Sequence, residues 1–70
     1  MENSLKVCIN GSIRMVPEGT TLKGLIGLFN LEEKAVVLEW NRQVVDRAVY
    51  STTKVQESDS IEIVGLVGGG

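Results

Sequence analysis

The sequence has almost no residues that could form a disulfide or hold a metal. Its 70 residues include no histidine and one cysteine, Cys8. A single thiol cannot form a disulfide within the chain, and structural zinc sites need several Cys or His ligands. A lone thiol is also compatible with a reducing compartment. We therefore predict no disulfide framework and no bound metal, and we expect Cys8 to have a packing or surface role.

Long apolar runs and basic clusters are also missing. No apolar run approaches the ~20 residues of a membrane-spanning helix, and the first residues lack a secretory signal. The net charge is −2 and the seven Lys and Arg residues are scattered, whereas nucleic-acid binding normally needs a basic patch. Acidic residues are more grouped, at Glu32 and Glu33 and within residues 57–62. We expect a cytoplasmic domain that binds neither membrane nor nucleic acid, with a protein partner that has a basic rim.

The first part of the chain predicts a β-hairpin. Residues 5–9 alternate between apolar and other side chains, with Leu5, Val7 and Ile9 on one face. Asn-Gly follows, at positions 10 and 11, and this dipeptide between alternating runs is a strong signal for a tight hairpin turn. Apolar residues resume at Ile13 and Met15.

A single amphipathic helix is predicted next. Thr20 or Thr21 can cap its first turn, and Asn30 is suited to end it. The apolar side chains recur at helical spacing and predict one buried face: Leu22, Leu25, Ile26 and Phe29. One such face is enough to pack the helix across one side of a sheet.

The second half of the chain predicts three more strands and one short helical turn. The strands are "AVVLEW", a short strand near residues 43–45, and "IEIVGLV"; Asp46 is placed to cap the turn, with Ala48, Val49 and Val55 as minor core residues. Trp40 and Asn41 are expected at the core edge and in a turn. The order strand, strand, helix, strand, short strand, strand predicts an α+β fold, the β-grasp (ubiquitin-like) roll. In it one main helix packs across a mixed four- to five-stranded sheet.

The chain ends in a run of three glycines. We expect a domain over residues 1–67, with its first and last strands paired in the middle of the sheet, followed by a flexible tail of Gly68, Gly69 and Gly70. One interpretation is a mere linker, since most glycine-rich ends have no chemical role. In the other, a partner adenylates the terminal carboxylate, whose ordinary pKa is about 3.5. Residues without side chains could enter a narrow active site, and residues 67–70 would span about 13 Å when extended.

Four segments together match one family pattern: "VCINGS", "PEGTTLKGLI", "VVLEWNRQVVDR" and "DSIEIVGLVGGG". With them the whole chain resembles the small sulfur carrier proteins of thiamine biosynthesis, which share the ubiquitin fold. The functional signature of that resemblance is the final Gly69-Gly70; the other segments support the fold. One departure is Ser58-Asp59, where the family often has Gly-Asp. A left-handed serine there is expected to cost about 1 kcal/mol.

The resemblance implies a mechanism without catalytic side chains or a bound cofactor. An activating enzyme would use ATP to adenylate Gly70, a cysteine-desulfurase-type donor would supply persulfide sulfur, and the resulting thiocarboxylate would serve thiazole synthase. Gly68 and Gly69 would thread the partner's active site. Val37, Val64, Leu66 and Val67 are predicted to form an apolar docking surface on the helix-free face of the sheet.

Three alternatives remain open from the sequence. The chain could carry sulfur for another product, such as molybdopterin or thiolated tRNA. It could be a ubiquitin-like modifier joined to lysines, which would use the same adenylation. It could also be a plain interaction module whose glycines have no chemical role.

Overall fold

A computed structural model describes residues 3–66 of the chain. The strands are β1 (Ser4–Ile9), β2 (Ser12–Pro17), β3 (Val36–Trp40), β4 (Gln43–Val44) and β5 (Ser60–Gly65); the helix is α1 (Leu22–Leu28), and two short 3₁₀ turns cover Glu33–Ala35 and Arg47–Val49. The sheet order is β2-β1-β5-β3-β4. The pair β1 and β5 is parallel, and the other neighbours are antiparallel. The predicted β-grasp arrangement is therefore observed, while the predicted boundary at residue 67 and the glycine tail lie outside the described residues.

The first hairpin turns where the Asn-Gly dipeptide predicts it. Asn10 and Gly11 both have positive φ, 50° and 85°, as a type I′ turn requires. The turn pairs Ile9 with Ser12 and therefore Cys8 with Ile13. Ile13 consequently lies on the same sheet face as Cys8, which is the face opposite the helix.

Helix α1 begins and ends as its sequence predicts. The Thr21 Oγ1 accepts a hydrogen bond from the Gly24 amide at 3.0 Å, which satisfies one free amide of the first turn. At the other end Asn30 has a left-handed φ of 58°, and the amides of Asn30 and Leu31 donate to the carbonyls of Gly27 and Ile26. This pair of bonds is the Schellman motif, and it directs Leu31 back beside the helix end.

The core lies between α1 and one face of the sheet. Its buried residues are Val7, Ile9, Val16, Leu22, Leu25, Ile26, Val36, Leu38, Tyr50, Val55 and Ile61. The strands, helix α1 and the segment that contains Tyr50 and Val55 all contribute to this core. No single segment could therefore bury this surface alone.

One predicted part of the core is wrong. Asp46 does cap the short turn, since its Oδ1 accepts from the Ala48 amide at 2.9 Å, and Val55 is buried. Ala48 and Val49, however, are exposed, and Tyr50 is buried instead. The Tyr50 hydroxyl accepts a hydrogen bond from the Leu38 amide at 3.1 Å, so the phenol oxygen has a partner inside the core.

Candidate functional site

Strand β5 leads to the glycine-rich end and is the strand that any site at that end depends on. It lies between β1 and β3, in the middle of the sheet. Its inward residue Ile61 is fully buried and Ile63 is partly buried against the core, as predicted. Its two neighbouring strands therefore fix the position and direction of β5; we call the end of this strand, at Gly65 and Leu66, the exit.

The start of β5 is held by the buried carboxylate of Asp59, which is 8% exposed. Its Oδ2 accepts from the Trp40 indole Nε1 at 2.7 Å and from the Gln56 amide at 2.7 Å. Its Oδ1 accepts from the Asn41 Nδ2 at 3.2 Å. Trp40 is half-buried and Asn41 is in a left-handed turn with φ of 51°, so the predicted core-edge and turn positions hold. The sequence did not indicate that both side chains bind one carboxylate.

The turn before β5 keeps a left-handed geometry without glycine. Ser58 has a φ of 70°, and its amide donates to the Lys6 carbonyl at 2.7 Å. The Asp59 carbonyl in turn accepts from the Cys8 amide at 2.9 Å. Position 58 therefore has the left-handed geometry that glycine adopts without strain, and serine adopts it at an energetic cost.

The end of β5 is fixed by a side chain from the first hairpin. The Asn10 Oδ1 accepts from the Ile63 amide at 2.7 Å, and the Asn10 Nδ2 donates to the Ile63 carbonyl at 3.3 Å. The carboxamide thus continues the β1–β5 pairing beyond the point where β1 turns away. On the other side, the Leu66 amide donates to the Ala35 carbonyl at 2.8 Å. The chain is bonded to the sheet up to Leu66, while Val67, Gly68, Gly69 and Gly70 lie outside the described residues.

The helix-free face carries an apolar patch near this exit. Val37 and Val64 are direct cross-strand partners, and Leu66 follows Val64 by two residues on the same side of the strand. Val37 is half-buried, while Val64 and Leu66 are exposed. We call these three residues the exit patch; of the predicted docking set it lacks only Val67.

A pair of like charges borders the exit patch. Glu39 and Glu62 are direct cross-strand partners on β3 and β5. Glu39 follows Val37 by two positions and Glu62 precedes Val64 by two, so both carboxylates lie on the same face as the exit patch. Like charges directly opposite each other destabilise a sheet pair. A basic group on a partner would relieve this repulsion, in line with the basic rim predicted from the sequence.

Two further apolar side chains on this face were not predicted as surface residues. Ile13 and Met15 are 68% and 61% exposed and lie on the edge strand β2, on the far side of β1 from β5. The Asn-Gly turn could have indicated their position, because a two-residue turn that pairs Ile9 with Ser12 also pairs Cys8 with Ile13 and so places Ile13 and Met15 on the face of Cys8. Cys8 itself is half-buried on the same face.

On the helix side of the same exit lies a cavity of about 300 Å³. Its lining residues are Ile9, Asn10, Ser12, Arg14, Phe29, Leu31, Val36, Ile63 and Gly65. The cavity could not be predicted from the sequence, because it forms only where the helix end, the hairpin and β5 come together.

Neither a metal-binding cluster nor a membrane-spanning helix is found among the described residues. No three Asp, Glu or Cys side chains among residues 3–66 could hold a metal ion together. In that same part of the chain no helix is long and apolar enough to cross a membrane.

The fold and its central strand define a β-grasp domain, and comparison with known proteins identifies its family. The model of the ThiS family matches residues 4–70, and the chain belongs to this family. The sulfur carrier protein ThiS of Bacillus subtilis is 32% identical over 63 residues, which cover 89% of this chain and 96% of that protein. A crystal structure of the thiamine biosynthesis protein ThiS from Geobacter metallireducens covers 94% of this chain and all of its own, with 23% identity and a TM-score of 0.78; this likeness supports the fold.

Other relatives are much longer than this chain. The thiazole synthase of Magnetococcus marinus is 38% identical over 66 residues, which are 94% of this chain and 20% of that protein. The thiazole synthase of Paramagnetospirillum magneticum is 32% identical over the same shares. The chain thus spans about a fifth of the length of these two relatives.

Proposed function

We propose that this protein is a sulfur carrier for thiamine biosynthesis, with Gly70 as the residue that carries the sulfur. The observation that carries the proposal is its membership of the ThiS family over residues 4–70. The described geometry is in accord with it: β5 is bonded on the β3 side as far as Leu66, and on the β1 side as far as Ile63 through the Asn10 carboxamide. A rigid body would thus present the last residues to another protein's active site, and the glycines would thread it without steric conflict.

The proposed chemistry takes place in partner active sites. The Gly70 carboxylate attacks the α-phosphorus of ATP, pyrophosphate leaves, and an acyl-adenylate forms. The terminal sulfur of a persulfide on a desulfurase-type donor then displaces AMP, and a thiol cleaves the remaining S–S bond to leave the thiocarboxylate. In this scheme the protein is a co-substrate with no catalytic side chain and no cofactor of its own, and ATP is used by the adenylating enzyme.

Thiazole synthase is the proposed acceptor of the sulfur. In Magnetococcus marinus and Paramagnetospirillum magneticum, a segment similar to this chain forms part of a protein named thiazole synthase. A carrier joined to its acceptor has a high effective concentration at the acceptor's active site. This favours thiazole formation over molybdopterin synthesis or tRNA thiolation as the use of the carried sulfur. We propose the cytoplasm as the compartment of the reaction.

The exit patch is the proposed docking surface for the adenylating enzyme. Val64 and Leu66 are exposed, and Glu39 and Glu62 lie beside them on the same face. An apolar surface on the enzyme would bury Val64 and Leu66, and a basic rim around that surface would neutralise the two glutamates. Docking this close to the end of β5 would align residues 67–70 with the enzyme's active site.

Intact mass spectrometry tests the proposed chemistry. The protein is incubated with ATP, a persulfide donor and a ThiS-activating enzyme, and its mass should rise by one oxygen-to-sulfur exchange located at Gly70. A variant that lacks Gly69 and Gly70 is the matched control and should remain unchanged. A full-length protein that keeps its original mass beside a carrier converted by the same enzyme contradicts the proposal, and isopeptide adducts on lysines of other proteins would instead identify a modifier.

A pair of lysine substitutions on the same sheet face tests the docking surface. Val64→Lys should weaken binding to the activating enzyme about tenfold or more, because it places a cation at a patch expected to face basic groups. Met15→Lys puts the same charge on the distant β2 edge and should leave binding nearly unchanged. Equal losses in the two variants, measured by calorimetry or surface plasmon resonance, would contradict the exit patch as the docking surface.

A further inference from the structure

The cavity on the helix side of the exit has an apolar interior and a single charged side chain. Its floor is formed by the buried core residues Ile9 and Val36, and its wall by Phe29 and Leu31. The guanidinium carbon of Arg14 lies 5.8 Å from the centre of the Phe29 ring, within the range of a cation–π contact. No acidic side chain is among the residues that line it.

Local structure holds these walls in place. The Schellman motif at the end of α1 turns Leu31 back toward Ile26. Asn10 is bonded through its carboxamide to Ile63, and both residues line the cavity. The cavity therefore lies between the helix end, the hairpin and β5, and hydrogen bonds of the helix end and of Asn10 hold its walls in place.

We propose that this cavity receives a bulky apolar side chain of a partner protein, with a neighbouring carboxylate of that partner bound by Arg14. Its volume of about 300 Å³ is at the lower limit of small-molecule pockets and suits one large side chain. Among residues 3–66 no carboxylate lines the cavity beside Arg14, which favours an anionic group on the occupant. Gly65 lines the cavity, so a partner bound there contacts the chain directly before its glycine-rich end.

This surface differs in charge and position from the exit patch. The exit patch lies on the helix-free face beside Glu39 and Glu62, while the cavity lies on the helix side and presents Arg14. A partner with a basic rim and a partner with an acidic, apolar segment would therefore dock on opposite faces of the same exit. This inference concerns binding alone and does not depend on sulfur transfer.

Titration with a dipeptide probe tests the proposal. N-acetyl-Phe-Asp-amide is added to the ¹⁵N-labelled protein, and its neutral analogue N-acetyl-Phe-Asn-amide is added to a second sample. The Asp peptide should shift the amide signals of Ser12, Phe29, Leu31 and Gly65 with millimolar affinity, and the Asn peptide should bind about fivefold more weakly. Absence of shifts at these amides, or equal affinity of the two peptides, would overturn the proposal.

Two charge variants identify the contribution of Arg14. Arg14→Gln should lower the affinity for the Asp peptide about fivefold and leave the affinity for the Asn peptide unchanged. Arg47→Gln removes an exposed cation that does not line the cavity and should change neither. The same loss in both variants would indicate a general charge effect and contradict the assignment.

Two further measurements separate this inference from its alternatives. The variant that lacks Gly69 and Gly70 should bind the Asp peptide as well as the full chain does, so failure of the sulfur-carrier proposal would leave this result intact. Free 3-phenylpropionate should bind no better than the Asp peptide. If it binds at the cavity and the peptide does not, the site takes a small aromatic acid and the proposed protein partner is wrong.

Discussion

Strand β5 begins within a dense set of hydrogen bonds and ends beside an open cavity. At its start, Asp59 accepts three bonds from side chains and backbone, and Ser58 is bonded to β1. At its end, β5 is paired with β3 and receives further bonds only from the Asn10 carboxamide and the Ala35 backbone among the described residues. Both faces of the sheet near the end expose apolar side chains, Leu31 on one and Val64 on the other.

The difference between the two ends of β5 shows how a very small domain can combine a stable central strand with exposed apolar surface at one end of it. A domain of this size has little net stability, of the order of 0.05–0.15 kcal/mol per residue. Buried polar groups that are fully hydrogen-bonded add rigidity and specify one arrangement. Here they lie at the start of β5, and the apolar surfaces that we propose for docking lie at its other end.

The largest expected effect is at the start of β5. Asp59→Ala removes the acceptor of the Trp40 indole, the Gln56 amide and the Asn41 side chain. Each donor left unpaired in a partly buried site costs about 1–3 kcal/mol, so the variant should lose at least about 3 kcal/mol of unfolding free energy. Urea denaturation followed by circular dichroism measures the loss. Glu62→Ala, on the same strand but exposed, is the control and should raise the unfolding free energy by about 0.2–1 kcal/mol, because it removes the like-charge pair with Glu39; a similar small change in the Asp59 variant would remove the contrast between the two ends.

A smaller effect is expected at the exit. Asn10→Gly keeps the left-handed turn accessible but removes both hydrogen bonds to Ile63. We expect a loss of about 1 kcal/mol in global stability. Amide hydrogen exchange should show a larger increase at Ile63 and Gly65 than at Ile61, because only the end of β5 loses a partner. An equal increase in the exchange rates of all β5 amides would show that the two ends of the strand open together, and would contradict the difference between them.

The smallest effect has the opposite sign. Ser58→Gly relieves a left-handed conformation, φ of 70°, that costs a residue with a side chain roughly 1–2 kcal/mol. Since glycine also increases the entropy of the unfolded chain, the net stabilisation should be about 0.5–1 kcal/mol. Ser60→Gly, in the extended strand two residues later, should destabilise by a similar amount. Thermal unfolding of the two variants should therefore shift in opposite directions, and a shift of the same sign in both would contradict the strain at Ser58.

Much of the fold could be predicted because it follows from local patterns. The Asn-Gly turn, the spacing of Leu22, Leu25 and Ile26, and the Asp46 cap each depend on residues close together in the chain, and all were observed. The prediction for Ala48 and Val49 was wrong because apolar character alone does not say which residue of a three-residue turn points inward. Tyr50 is buried there, with its hydroxyl bonded to Leu38.

The candidate site was predicted less completely. Val37, Val64 and Leu66 could be assigned to the helix-free face from strand alternation alone. The face of Ile13 and Met15 could have been predicted from the Asn-Gly turn, which sets the register of the first hairpin, whereas the cavity around Arg14 required the packing of three separate elements. Alternation within one strand contains no information on which side chains of another strand or helix lie beside it.

By itself the sequence determined the order of the elements, the two-residue turn and the glycine-rich end, because propensity, spacing and residue type act over a few neighbouring positions. Only the tertiary structure decided that the Asp59 carboxylate accepts hydrogen bonds from Trp40, Asn41 and Gln56 together. It also decided that the Arg14 guanidinium packs against the Phe29 ring at the cavity. Contacts of this kind join residues far apart in the chain, and they exist only once the sheet and helix have closed around one core.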